Sequence, residues 1–184
     1  MEYTYTQSSQ QLKKLFEDFN FTYVGKFKKT KYNPQGKGQR KRSIKEGDLI
    51  VSYLPESTEL EALASSGRLV YCLVHQNGAH DFYLGKAEYG FRSRSKWYED
   101  GLRNKSAGST NVKIAELAFS YPFDVYVHIP EKISYINGVV IDPTESLERT
   151  MIETYNPTYN KQFKIKDKYR TKVTDANRKK VLHG

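Results

Sequence analysis

Leu69-Val70-Tyr71-Cys72-Leu73-Val74-His75 is followed by Gln76-Asn77-Gly78-Ala79-His80 and then by Asp81-Phe82-Tyr83-Leu84-Gly85-Lys86-Ala87. The first run is apolar and of strand length, the middle segment holds an Asn-Gly turn signal, and the last is again rich in aromatic and aliphatic residues. The three together predict two antiparallel strands, 69–75 and 81–87, joined as a hairpin. Cys72 lies mid-strand on the parity of Val70 and Val74 and is assigned to the core.

Working outward, residues 123–129 form a third core strand, and residues 21–27 and 49–54 alternate like strands. Leu12, Leu15, Phe16 and Phe19 recur at helical spacing, which predicts a helix over 7–19; shorter helices are expected at 56–65, 94–103 and 111–119. Ser134-Tyr135-Ile136 and Val139-Val140-Ile141 around Asn137-Gly138 read as a small hairpin. A better-marked helix follows. Asp142 can cap it, Pro143 suits its first position, Glu145 can close a capping box, and Leu147, Met151 and Tyr155 make its apolar stripe. Asn156-Pro157 stops it. The pattern is α+β, with strands and helices mixed along one chain.

Composition narrows the function. Of 184 residues, 30 are Lys or Arg and 21 are Asp or Glu, a net charge of +9. The charge is uneven. Lys26, Lys28, Lys29, Lys31, Lys37, Arg40, Lys41 and Arg42 make the segment 25–42 +8, and residues 161–184, which include Lys161 and Lys164, carry +7. Everything else is −6. Two basic arms on an acidic body point to a polyanionic partner, with Phe27, Tyr32, Phe163 and Tyr169 as stacking surfaces among the cations. Asn33-Pro34-Gln35-Gly36-Lys37-Gly38 breaks any helix in the first arm, which is therefore expected as an exposed loop or ribbon. No stretch approaches the ~18 apolar residues of a membrane span, and the chain start lacks a basic region followed by an apolar run, so a cytoplasmic protein without a membrane role is expected. One cysteine forms neither an internal disulfide nor, by itself, a zinc site. There is no Walker loop, no Rossmann glycine fingerprint and no His-Glu-x-x-His, and the four histidines share no metal-ligand spacing.

Taken singly, the polar residues near the apolar strands have ordinary readings. Tyr71 reads as a packing tyrosine with a bonded hydroxyl. Arg94 and Tyr98, four apart, share a helix face as surface contacts often do. Glu148 adjoins an apolar stripe, where a partly dehydrated carboxylate seeks a cation such as a rim Lys or Arg.

Their order and spacing together resemble the GIY-YIG nuclease family. Leu69-Val70-Tyr71 is similar to the first motif, with Leu and Val in place of the usual Gly and Ile, and Phe82-Tyr83-Leu84-Gly85-Lys86 is similar to the second. Arg94 and Tyr98 occupy the family's helix positions. Glu148, with Pro157-Thr158-Tyr159-Asn160 nine residues on, resembles its metal-binding helix and closing Pro-x-x-Asn. The resemblance covers residues 67–160. It implies a small core of a three-stranded antiparallel sheet flanked by helices, with residues 1–66 as an N-terminal extension and 161–184 as a basic arm.

The resemblance also implies a chemistry. Glu148 would hold one Mg²⁺, for which Mn²⁺ can substitute, and Arg94 would fork onto phosphate oxygens. Tyr71 would act as general base if Lys86 and the metal lower its pKa from the usual value near 10. Tyr83 would orient water or phosphate, Tyr98 would hydrogen-bond nearby, and Asn160 would support the site. Extensions that decorate the nuclease core, rather than a linker and second domain, favour a type II restriction enzyme. Such an enzyme would act on double-stranded DNA as a homodimer beside a cognate DNA methyltransferase. A phage, repair or structure-selective nuclease and a non-catalytic nucleic-acid-binding protein on a degenerate fold are the alternatives.

Overall fold

The computed structural model describes residues 7–32, 47–104, 110–134 and 140–162. In chain order these form α1 (Gln7–Asp18), β1 (Thr22–Lys31), β2 (Leu49–Pro55), α2 (Thr58–Ala64), β3 (Leu69–His75), β4 (Phe82–Ala87), α3 (Gly90–Asn104) and α4 (Thr110–Ser120). Then come β5 (Phe123–His128), β6 (Ile133–Ser134), β7 (Val140–Ile141), α5 (Thr144–Tyr155) and α6 (Thr158–Gln162). The fold is α+β: a five-stranded antiparallel sheet in the order β2-β1-β5-β3-β4, flanked by helices, with β6 and β7 paired separately.

The three expected core strands are adjacent as β5-β3-β4, but the sheet does not stop there. β1 pairs with β5 and brings β2 with it, so strands from the segment read as an extension widen the sheet from three to five. Period-2 alternation marks β1 and β2 as strands, but no local signal names β5 as their neighbour. The basic segment is corrected as well. Lys26, Lys28, Lys29 and Lys31 lie in strand β1 rather than in a loop, with Lys26 Nζ 4.0 Å from Asp124 and Lys29 Nζ 5.5 Å from the centre of the Phe119 ring. Lys37, Arg40, Lys41, Arg42 and the Asn137-Gly138 turn lie outside the described residues.

Both faces of the sheet are covered. Leu69, Tyr71 and Leu73 of β3 pack with Phe123, Val125 and Val127 of β5 under α2, α3 and α4, through Ala64, Phe91, Tyr98, Ile114 and Ala118. Val70, Cys72 and Val74 pack on the other face with Phe82, Leu84, and Leu12, Leu15, Met151 and Tyr155 of α1 and α5. Every residue of β3 is therefore buried, which accounts for its unbroken apolar run. Among the described residues, no helix is long and apolar enough to cross a membrane.

At two helix starts the local chemistry differs from the sequence expectation. α3 begins at Gly90, not at Arg94. Phe91, Ser95 and Tyr98 sit one above another on its buried face, and Gly90, at φ 76°, donates its N–H to the Gly67 carbonyl at 2.7 Å. A Cβ at Gly90 would lie 2.6 Å from Ser65 Cα, so a close backbone approach, not a capping side chain, sets this start. At α5, Pro143 precedes the helix and Asp142 accepts from the Thr144 N–H at 2.9 Å, a capping role one residue further out. Glu145 closes no box there; it pairs with Lys86. The stop is as expected. Asn156 is left-handed at φ 50°, its N–H bonds the Ile152 carbonyl at 3.0 Å, and Pro157 follows.

Candidate active site

The site is built around β4, the edge strand, and the pleat divides its members between the two sheet faces. Tyr71 lies opposite Gly85 and Lys86 lies opposite Val70. Tyr71 therefore points toward α3 while Lys86 points toward α5. Lys86 does not face Tyr71; its Nζ is 3.1 Å from Glu145 Oε2.

On the α3 side, Tyr71 and Tyr98 are fully buried with their hydroxyls 2.5 Å apart. Arg94 donates from Nε to the Tyr71 hydroxyl at 3.2 Å and from Nη2 to Asn111 Oδ1 at 3.1 Å, and its guanidinium carbon lies 4.9 Å from the centre of the Tyr98 ring. The head group is thus held at three points. The Tyr83 ring centre is 6.3 Å from that of Tyr71. The Tyr71 ring lies across Gly85, where a Cβ would come within 2.5 Å of Tyr71 Cζ and 3.0 Å of Tyr83 Cε1. Gly85 is therefore the space into which the Tyr71 ring fits. Gly85→Ala is expected to cost about 1–3 kcal/mol by overpacking, measured by denaturant unfolding, and to displace the Tyr71 hydroxyl from Arg94.

Burial is the dominant electrostatic effect. It pushes the Tyr71 phenol above its ordinary value, and the Arg94 charge and hydrogen bond pull back against that rise. Tyr98 and Tyr83 are raised by the same desolvation. Arg94, rather than Lys86, is the cation that favours a Tyr71 phenolate.

On the α5 side, burial raises the Glu148 carboxyl above the usual range, with Lys86 and Arg94 opposing and Glu145 adding to the rise. A groove of about 770 Å³ along α5 is lined by Glu145, Glu148, Arg149 and Asn160 among others. Asn160 anchors its wall: it accepts from the Leu84 N–H and donates to the Leu84 carbonyl, both at 2.8 Å, in the manner of an added strand. Asn160→Ala is expected to cost about 2 kcal/mol or more, from two hydrogen bonds at about 1 kcal/mol each with the Leu84 groups left unpaired. Chemical denaturation checks the loss.

Among the described residues no cluster of three or more His, Cys, Asp or Glu could cage a metal. The donor set nevertheless fits Mg²⁺, which keeps several waters and binds through one or two carboxylates plus substrate phosphate, and a half-buried carboxylate with a raised pKa gains from a nearby cation. Asn111 and Glu145 were missed as site residues. Glu145 could have been found, because it is three residues from Glu148 and shares its helix face. Asn111 had no local signal, being on another helix. Lys161 lies in α6 and Lys164 falls outside the described residues.

No family model matches this chain, and no curated protein matches it. Among solved structures, a mutant of bacteriophage T4 EndoII aligns with 81% of this chain and 98% of its own, at 14% identity and a TM-score of 0.48.

Proposed function

We propose that the protein is an endonuclease that hydrolyses phosphodiester bonds in double-stranded DNA, with the backbone crossing β4 between Arg94 and Glu148. The observation that carries this reading is the three-point seating of Arg94 against Tyr71, Asn111 and Tyr98 on one side of β4, with a half-buried Glu148 on α5 at the other. A preorganised guanidinium stabilises the charge that grows on phosphoryl oxygens, and it needs no reorganisation at the moment of reaction.

Tyr71, as phenolate, accepts the proton of the attacking water as its oxygen bonds to phosphorus and the leaving oxygen departs; Arg94 favours that phenolate. Tyr83 orients the water or the phosphate, Tyr98 fixes the Tyr71 hydroxyl, and Asn160 holds the α6 corner against β4. Glu148 would hold Mg²⁺, which supplies Lewis-acid stabilisation of phosphate and leaving oxygen. Lys26, Lys28, Lys29 and Lys31 of β1, with the cations of both arms, grip flanking phosphates. We further propose sequence-specific cleavage of the type II restriction kind by a homodimer in the cytoplasm, with a methyltransferase protecting the host site.

Incubation of a long duplex with the protein, with and without Mg²⁺, tests the reading. Discrete fragments that vanish with chelator are expected. A smear, or cleavage confined to branched substrates, would remove the restriction assignment, and no cleavage in Mg²⁺ or Mn²⁺ would remove the nuclease assignment.

A further inference from the structure

Where β4 runs into α3 a hollow of about 260 Å³ is lined by Lys86, Tyr89, Ser93, Arg94 and Trp97 among others. Gly90, Ser93, Arg94 and Trp97 recur at helical spacing, so one face of α3 forms its wall. The adjoining face, through Phe91, Ser95 and Tyr98, is buried in the core. The hollow's two aromatic walls are wet: Trp97 is 63% exposed and Tyr89 79%. Neither ring is needed to fill the interior, and both line the hollow with Arg94; Lys86 lines its β4 side while its ammonium pairs with Glu145.

Exposed π-faces next to the Arg94 cation match the two halves of a nucleotide, since a base stacks on aromatic rings while its phosphate meets the charge. Paired bases within a helix present edges in the grooves and keep their faces stacked, so only a base out of the stack can use these rings. The volume is below the roughly 300–1,000 Å³ of a drug-sized pocket, which suits one base rather than a duplex end.

We propose that Trp97 and Tyr89 stack on a single nucleobase displaced from the helix beside the phosphate held by Arg94, so that the favoured substrate is DNA with an unpaired or easily unpaired nucleotide at the cleavage point. The inference rests on the nuclease reading for the position of that phosphate.

The chain has one tryptophan, so its tryptophan emission reports this hollow alone. Three duplexes are titrated in chelator, so that none is cut: fully paired, with one bulged nucleotide, and with the same bulge made abasic. Binding is read by anisotropy and stacking by Trp97 quenching. The bulged duplex is expected to bind about tenfold more tightly than the abasic one and to quench more strongly. W97A should erase the tenfold difference, W97F should keep part of it, and Y89A should reduce it; circular dichroism confirms that these exposed positions leave the fold intact. Equal binding and quenching by the bulged and abasic duplexes, a W97A protein that keeps the difference, or no binding to any duplex overturns the proposal. Cleavage of paired duplex in Mg²⁺ is measured separately. Normal cleavage with unmoved Trp97 emission sinks the base pocket alone, whereas base-dependent quenching without cleavage in any metal sinks the nuclease reading alone.

Discussion

Glu148→Gln is expected to lower divalent-cation-dependent cleavage at least about 10²-fold while leaving the fold as stable as the wild type at neutral pH, or more so. The two halves of this result have separate causes. Activity falls because the amide no longer offers the charge that would hold a cation beside the phosphate. Stability holds because burial works against the ionised carboxylate: the folded pKa lies above the unfolded one, so the fold favours the neutral form. The stabilisation due to Glu148 is complete below the unfolded value and is lost as pH rises through the folded value. Gln, neutral throughout, does not lose it, so the stability difference should open in favour of the variant across that interval and then level off. Denaturant unfolding from acid to neutral pH measures this. Added Mg²⁺ should raise the melting temperature of the wild type and not that of E148Q. A variant that cuts at the wild-type rate would remove Glu148 from the chemistry.

Tyr71→Phe is expected to lower cleavage by about 10² or more and also to cost about 1–3 kcal/mol of stability. A tyrosine considered only as a general base would be exchanged for phenylalanine with little effect on folding. The hydroxyl, however, is fully buried and accepts from Arg94 Nε while bonded to the Tyr98 hydroxyl, so its removal leaves two buried polar groups short of a partner. Chemistry and folding separate in the pH profile. Because burial raises the Tyr71 pKa, the wild-type kcat/KM should climb about tenfold per pH unit toward alkaline pH, and the residual activity of Y71F should lack that slope. Tyr98→Phe is the control: it disturbs the same buried pair but should retain the slope. A Y71F profile parallel to the wild type would make the hydroxyl a structural group.

What could be read along the chain was local. The unbroken run of β3 follows from helices covering both of its faces, and the stop of α5 follows from a left-handed Asn156 before Pro157. Arg94 and Tyr98 share a helix because they are four residues apart, although the helix itself starts earlier than its residues advertise, at a glycine whose role is contact with Ser65. Lys86 shows where such reading ends. It follows Gly85 near a strand end, and only the pairing with Val70 assigns it to Glu145 rather than to Tyr71.

The sequence by itself determined the α+β class, the approximate ranges of the strands and helices, and the positions at which aromatic, cationic and acidic groups are available, because periodicity and turn chemistry act over a few residues. Only the tertiary structure decided that β1 and β2 extend that sheet, that Asn111 grips Arg94, and that Asn160 binds Leu84 from 76 residues away. Those contacts are selected by which buried polar groups find partners once the chain has collapsed, and no window of neighbouring residues contains that information.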